Sequence, residues 1–160
     1  MKGLNGSGKT TLINIVLGKL DAKRGTVYRA DYQSVYIDQD YSLINNHINV
    51  YEQAQQFNIG LLEEHEVKIR LSRFLLGKEY WSKSCDMLSG GEKMRLMLCC
   101  LTISNQSPDI IILDEPTNNL DMQNIEILTT AINEYQGTLI VVSHDEYFLK
   151  AINVQRTIML

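Results

Sequence analysis

Apolar positions along the chain change period several times, and each change marks an element. From Gly8 to Lys19, with Leu12, Ile15, Val16 and Leu20 at helical spacing, the pattern predicts a helix. TVYRA (26–30) and SVYID (34–38) read as short strands. Asn49 followed by Glu52 has the form of a capping box and predicts a helix running through Phe57. Val67, Leu71, Phe74 and Leu75 make an amphipathic helix expected to end at Gly77. Ser89 to about Ile103 is another helix. IIIL (110–113) is an unbroken apolar, β-branched run, the pattern of a strand buried on both faces. Residues 122–135 read as a helix, TLIVV (138–142) as a second buried strand, Glu146 to Ile152 as a short helix, and RTIML (156–160) as a closing strand.

Buried strands alternating with helices predict an α/β fold with a mostly parallel sheet, whose sites lie at the carboxyl ends of the strands. The stretch from about 45 to 88 is helical without strands, so it reads as a helical subdomain inserted in one α/β domain spanning 1–160. No apolar run is long enough to cross a membrane as a helix, and the first ten residues are no signal segment. Cys85, Cys99 and Cys100 lack CxxC spacing, which points to inert thiols in a reducing cytoplasm. Net charge is −4, yet residues 68–95 carry seven basic and three acidic groups, leaving −8 elsewhere. A solvated helix face explains that basic segment more simply than an anionic partner, and the overall charge is not that of a nucleic-acid-binding domain.

Four stretches carry chemistry. Gly3, Gly8, Lys9 and Thr10 satisfy the phosphate-loop pattern GxxxxGK[ST] (Walker A). Glycines let backbone N–H groups curl around phosphate oxygens, and the following helix N-terminus favours negative charge. In IIILDEPTNNLD (110–121), Asp114 and Glu115 stand where a buried strand ends, the place for a Mg²⁺-holding carboxylate (Walker B) and a group that polarises water. In LSGGEKMRL (88–96), Ser89 and Glu92 form a capping box, but two glycines in the first turn oppose the helix by about 1 kcal/mol each. Close approach of the backbone to phosphate would explain them, with Ser89 adding a hydroxyl. In VVSHDEYFL (141–149), His144 follows a buried strand and so points at the site edge.

In this order the four stretches resemble the nucleotide-binding domain of ATP-binding cassette (ABC) proteins, whose signature LSGGE is similar to. EPTNNLD, GTLIVVSHDEYFL, YIDQ and RLSRFLLG resemble the ABC-F subfamily, ATPases with two cassettes on one chain that act mostly at the ribosome, and the wording is closer to a second cassette than a first. Lys9 to Ser89 is 80 residues, which leaves room for only a small helical subdomain and speaks against a transporter cassette. A transporter energiser and a non-hydrolysing ATP-binding clamp remain the alternatives.

The resemblance implies a P-loop core that binds ATP and Mg²⁺ and hydrolyses ATP. It assigns the phosphates to Gly3, Asn5, Gly6, Ser7, Gly8, Lys9, Thr10 and Thr11, and Mg²⁺ to Thr10, Gln39 and Asp114. It makes Glu115 the base or water-orienting group, with Lys9, Gln39 and His144 also at the reacting phosphate. It sets Ser89, Gly90 and Gly91 against ATP held by an opposing cassette, with Asn119 and Asp121 bridging the two. Implied partners are that second cassette and the ribosome or tRNA. Such a cassette begins before its phosphate loop, with an adenine-stacking aromatic and the strand that feeds the loop, so the chain reads as a cassette truncated at both boundaries. Tyr28, Tyr32 and Tyr36 follow the loop and are not expected to stack on adenine.

Overall fold

The computed structural model describes residues 1–4, 6–104 and 107–160. They fall into two units. The first holds Met1–Gln39, Pro108–Pro116 and Gly137–Leu160, and the second holds Asp40–Ser107 and Thr117–Gln136.

The first unit is a parallel sheet of β1 (Ser34–Ile37), β2 (Ile110–Asp114) and β3 (Thr138–Val142), in that order. The register pairs Ile37 with Leu113, and Asp114 with Val142. All three strands therefore run out at one edge, where Gln39, Glu115 and His144 follow them. Helix α1 (Lys9–Val16) covers the sheet by burying Ile13 with Ile112 and Val142, and Tyr36 packs against that cluster. Helix α6 (Glu146–Ala151) follows β3. Beyond β3, the Met1 amino group donates to Val141 O, and Lys2 bridges in parallel to Met159.

Three expectations need correcting in this unit. The first helix stops at Val16, not Lys19, because Gly18 adopts the left-handed conformation (φ +74°) and the N–H groups of Gly18 and Lys19 turn back to Ile15 O and Asn14 O. Residues 26–30 form no strand. Tyr28 is almost fully exposed, and Arg29 donates to Ile15 O through Nε (3.1 Å) and Nη2 (2.7 Å). With Tyr32 Oη donating to Val16 O, this segment serves the last carbonyls of α1 rather than a neighbouring strand. The closing strand shrinks to the bridge around Lys2, with Lys2 N–H donating to Ile158 O and Leu160 N–H to Lys2 O.

The second unit is helical: α2 (Val50–Gln56), α3 (Glu64–Arg73), a 3₁₀ turn (Cys85–Met87), α4 (Gly90–Ile103) and α5 (Met122–Glu134). It reaches well past the stretch 45–88. Helix α4 buries Met94, Leu96, Met97, Leu98, Cys99, Cys100 and Ile103, so it is apolar almost all round, as a central helix must be, and α2, α3 and α5 pack on it. Asn49 caps α2 with Glu52 as expected. Helix α3 ends before Gly77: Leu75 turns left-handed (φ +58°), Leu76 N–H reaches Leu71 O, and Leu71 and Leu76 are both fully buried.

Candidate functional site

The phosphate-loop residues are held by their own backbone. Ser7 N–H donates to Leu4 O at 3.1 Å, and Gly6 (φ +81°) and Gly8 (φ +96°) take conformations that a side chain would strain. Gly3 is needed for another reason, since a Cβ there would stand 2.6 Å from Ser7 Oγ and 2.8 Å from Leu160 O. Gly8, the N-cap of α1, makes no side-chain cap hydrogen bond to the first-turn N–H groups. Lys9 folds its ammonium back over the loop, donating to Gly3 O (2.7 Å) and Leu4 O (3.0 Å). Among the described residues Ser7 Oγ is buried without a hydrogen-bond partner. Thr10 and Thr11 are exposed on the first turn of α1. Asn5 lies outside the described residues.

At the sheet edge two pairs form. Asp114, only 8% exposed, accepts a hydrogen bond from Tyr36 Oη at 3.0 Å. Burial, and then that bond, push the Tyr36 hydroxyl above its ordinary pKa of 10. Glu115 sits in the left-handed region (φ +49°) and is locked to β3 by its N–H on Val142 O (2.8 Å). Its Oε1 lies 3.4 Å from His144 Nε2, and its Oε2 3.4 Å from the His144 N–H. The glutamate side chain is 12% exposed and the histidine 57%, so the pair has a buried and an open end. Gln39 is exposed two residues past the end of β1.

The candidate residues of the first unit thus fall at the loop or at the strand ends. Ser89, Gly90 and Gly91 belong to the second unit, at the start of α4. Ser89 caps it as the sequence indicated, with its N–H on Glu92 Oε2 (2.8 Å) and its hydroxyl accepting from Glu92 N–H (3.3 Å). Glu92 also accepts from Tyr80 Oη and Lys83 Nζ. Gly91 has a packing reason for being bare, because Asn124 of α5 lies against it, whereas Gly90 faces open space. Sequence reasoning missed Tyr36 and Asn124. The period of β1 held a signal for Tyr36, but only the β1–β2 register shows what it meets.

These groups fit Mg²⁺ and a nucleotide phosphate. The loop offers the first-turn N–H groups of α1, an ammonium and a buried hydroxyl with no partner among the described residues. Hydroxyl, amide and carboxylate oxygens of Thr10, Gln39 and Asp114 are the donors a hard cation takes. Among the described residues no three His, Cys, Asp or Glu side chains form a metal cage, and Mg²⁺ bound to phosphates requires none.

A phosphate loop opening a helix over a parallel sheet, with carboxylates at the strand ends, defines a P-loop nucleotide-binding domain. The family model described as ABC transporter matches residues 1–118, and the chain belongs to that family. It is 40% identical over 152 residues to the "Probable ATP-binding protein YbiT" of Escherichia coli O157:H7, covering 94% of this chain and 28% of the relative. It is 36% identical over 160 residues to ABC transporter F family member 2 of Arabidopsis thaliana, covering 94% and 22%. A solved complex of the archaeal ribosomal stalk protein aP1 and the archaeal ribosome recycling factor aABCE1 contains a similar fold, with TM-score 0.72 and 26% identity over 94% of this chain and 30% of that one. The chain spans about a quarter of the length of the curated relatives it matches. None of its described helices is long and apolar enough to cross a membrane.

Proposed function

We propose that this chain is an ABC-F-type cassette that binds Mg²⁺·ATP and hydrolyses it, driving clamp-like closure against a second cassette in a translation-associated protein of the cytoplasm. The observation that carries the reading is the Glu115–His144 pair, a carboxylate and an imidazole 3.4 Å apart at the ends of neighbouring strands. Glu115 holds its place in a strained backbone conformation.

In this reading the Gly6–Thr11 backbone and Lys9 hold the β- and γ-phosphates, Lys9 exchanging its loop carbonyls for phosphate oxygens. Thr10, Gln39 and Asp114 hold the cation. Mg²⁺, when bound, neutralises charge developing on the phosphate oxygens. Glu115 orients the attacking water and takes its proton, and His144 contacts the γ-phosphate from the open side. Ser89 and Gly90 serve ATP on an opposing cassette, with Asn119 and Asp121 lying between the two. The F-family names among the relatives support the subfamily, and the stalk-protein complex is the support for a ribosomal partner.

The test is ATP turnover by protein carrying this sequence, compared with Glu115→Gln. The expected result is a loss of about 10²-fold or more with ATP binding retained. An unchanged rate would mean that Glu115 is not the base, and retained binding with no turnover in either protein would favour an ATP-binding clamp that does not hydrolyse.

A further inference from the structure

Tyr36 stands level with Ile112 across the β1–β2 ladder, and Asp114 is two residues further along β2, on the same face. Diagonal neighbours on one face lie within reach of a long aromatic side chain. The Tyr36 hydroxyl makes that reach and donates to Asp114 Oδ2 at 3.0 Å. Its ring packs against the Ile13–Ile112–Val142 cluster, so the hydroxyl is delivered from a fixed base. A terminal carboxylate rotation is broad and nearly two-fold, so without a donor Asp114 would present its oxygens over a range of angles.

We propose that Tyr36 is a positioning residue for the cation site: its hydroxyl fixes the plane of the Asp114 carboxylate, so that an oxygen is preset toward Mg²⁺ before the nucleotide arrives. The inference rests on the assignment of Asp114 to the metal made above. Partners that orient a ligating group are typically worth about 10- to 100-fold in metal affinity.

The experiment is calorimetric titration of the protein with ATP, once with MgCl₂ and once with EDTA, for wild type, Tyr36→Phe, Asp114→Asn and the double variant. Tyr36→Phe removes one oxygen from a packed ring, and its folding is checked by the melting temperature. The expected result is about tenfold or greater weakening of ATP binding in MgCl₂, unchanged binding in EDTA, and no added effect of Tyr36→Phe once Asp114 is Asn. Equal weakening with and without Mg²⁺, no weakening in either, or a full Tyr36→Phe effect in the Asp114→Asn background would overturn the proposal and leave Tyr36 a packing residue. If Asp114→Asn alone binds ATP in MgCl₂ as wild type does, the metal assignment of Asp114 fails, a result distinct from failure of the Tyr36 relay.

Discussion

Asn124 occupies the space that any side chain at Gly91 would need: a Cβ on Gly91 would stand 2.3 Å from Asn124 Nδ2 and 2.7 Å from its Cγ. The amide cannot swing away freely, because Nδ2 donates to Asp121 Oδ1 (2.9 Å), the oxygen that also caps α5 by accepting from Asn124 N–H (2.8 Å). The start of α4 and the start of α5 are thereby interlocked within one unit.

The two glycines of the signature should therefore respond oppositely to alanine. Gly91→Ala forces Asn124 off Asp121 and is expected to destabilise by about 1–3 kcal/mol, as overpacking does. At Gly90 an added methyl would meet nothing within 4 Å, so Gly90→Ala should be neutral or stabilising by up to about 1 kcal/mol through helix propensity. Denaturant unfolding of both variants checks this, and equal losses would refute the interlock.

Acid should loosen the start of α4 through Glu92. Burial alone would raise its pKa, but the Ser89 N–H, the Tyr80 hydroxyl and the Lys83 ammonium outweigh burial and hold it below its ordinary 4.5. A folded-state pKa that is depressed gives stability that is fully present above 4.5 and is lost as pH falls through the folded value. As pH falls below 4.5 the wild type should lose more stability than Glu92→Gln, which keeps an acceptor oxygen in the capping box. Parallel pH profiles for the two proteins would show that Glu92 contributes no such linkage.

Leu75, not Gly77, makes the left-handed turn that ends α3. Leu75→Gly removes the steric cost of that conformation, partly offset by added freedom in the unfolded chain, and should raise stability by up to about 1 kcal/mol. A Cβ on Gly77 meets only the movable carboxylate of Glu79, so Gly77→Ala should change little. Thermal unfolding that ranked the two variants the other way would restore Gly77 as the stop.

Much of this was legible because the signals were local. Asn49 and Ser89 cap helices through side chains three residues from the N–H groups they serve, and the apolar runs IIIL and TLIVV form the strands they predicted. What failed was non-local or hung on a single torsion. A leucine taking the left-handed turn beside an available glycine breaks the usual preference, because burying Leu71 with Leu76 decides the matter. TVYRA has strand composition but meets carbonyls of α1 instead of a partner strand. The Glu115–His144 and Tyr36–Asp114 pairs join residues 29 and 78 positions apart, and only the sheet register brings them together.

In the function proposed above, the left-handed backbone at Glu115 sets stability and chemistry against each other at one position. Glycine would sit there without strain, and the fold would be the better for it, while the carboxylate beside His144 would be gone. Selection for heat resistance alone would therefore drift away from the acid at this site, and only a screen that also reads turnover would keep it.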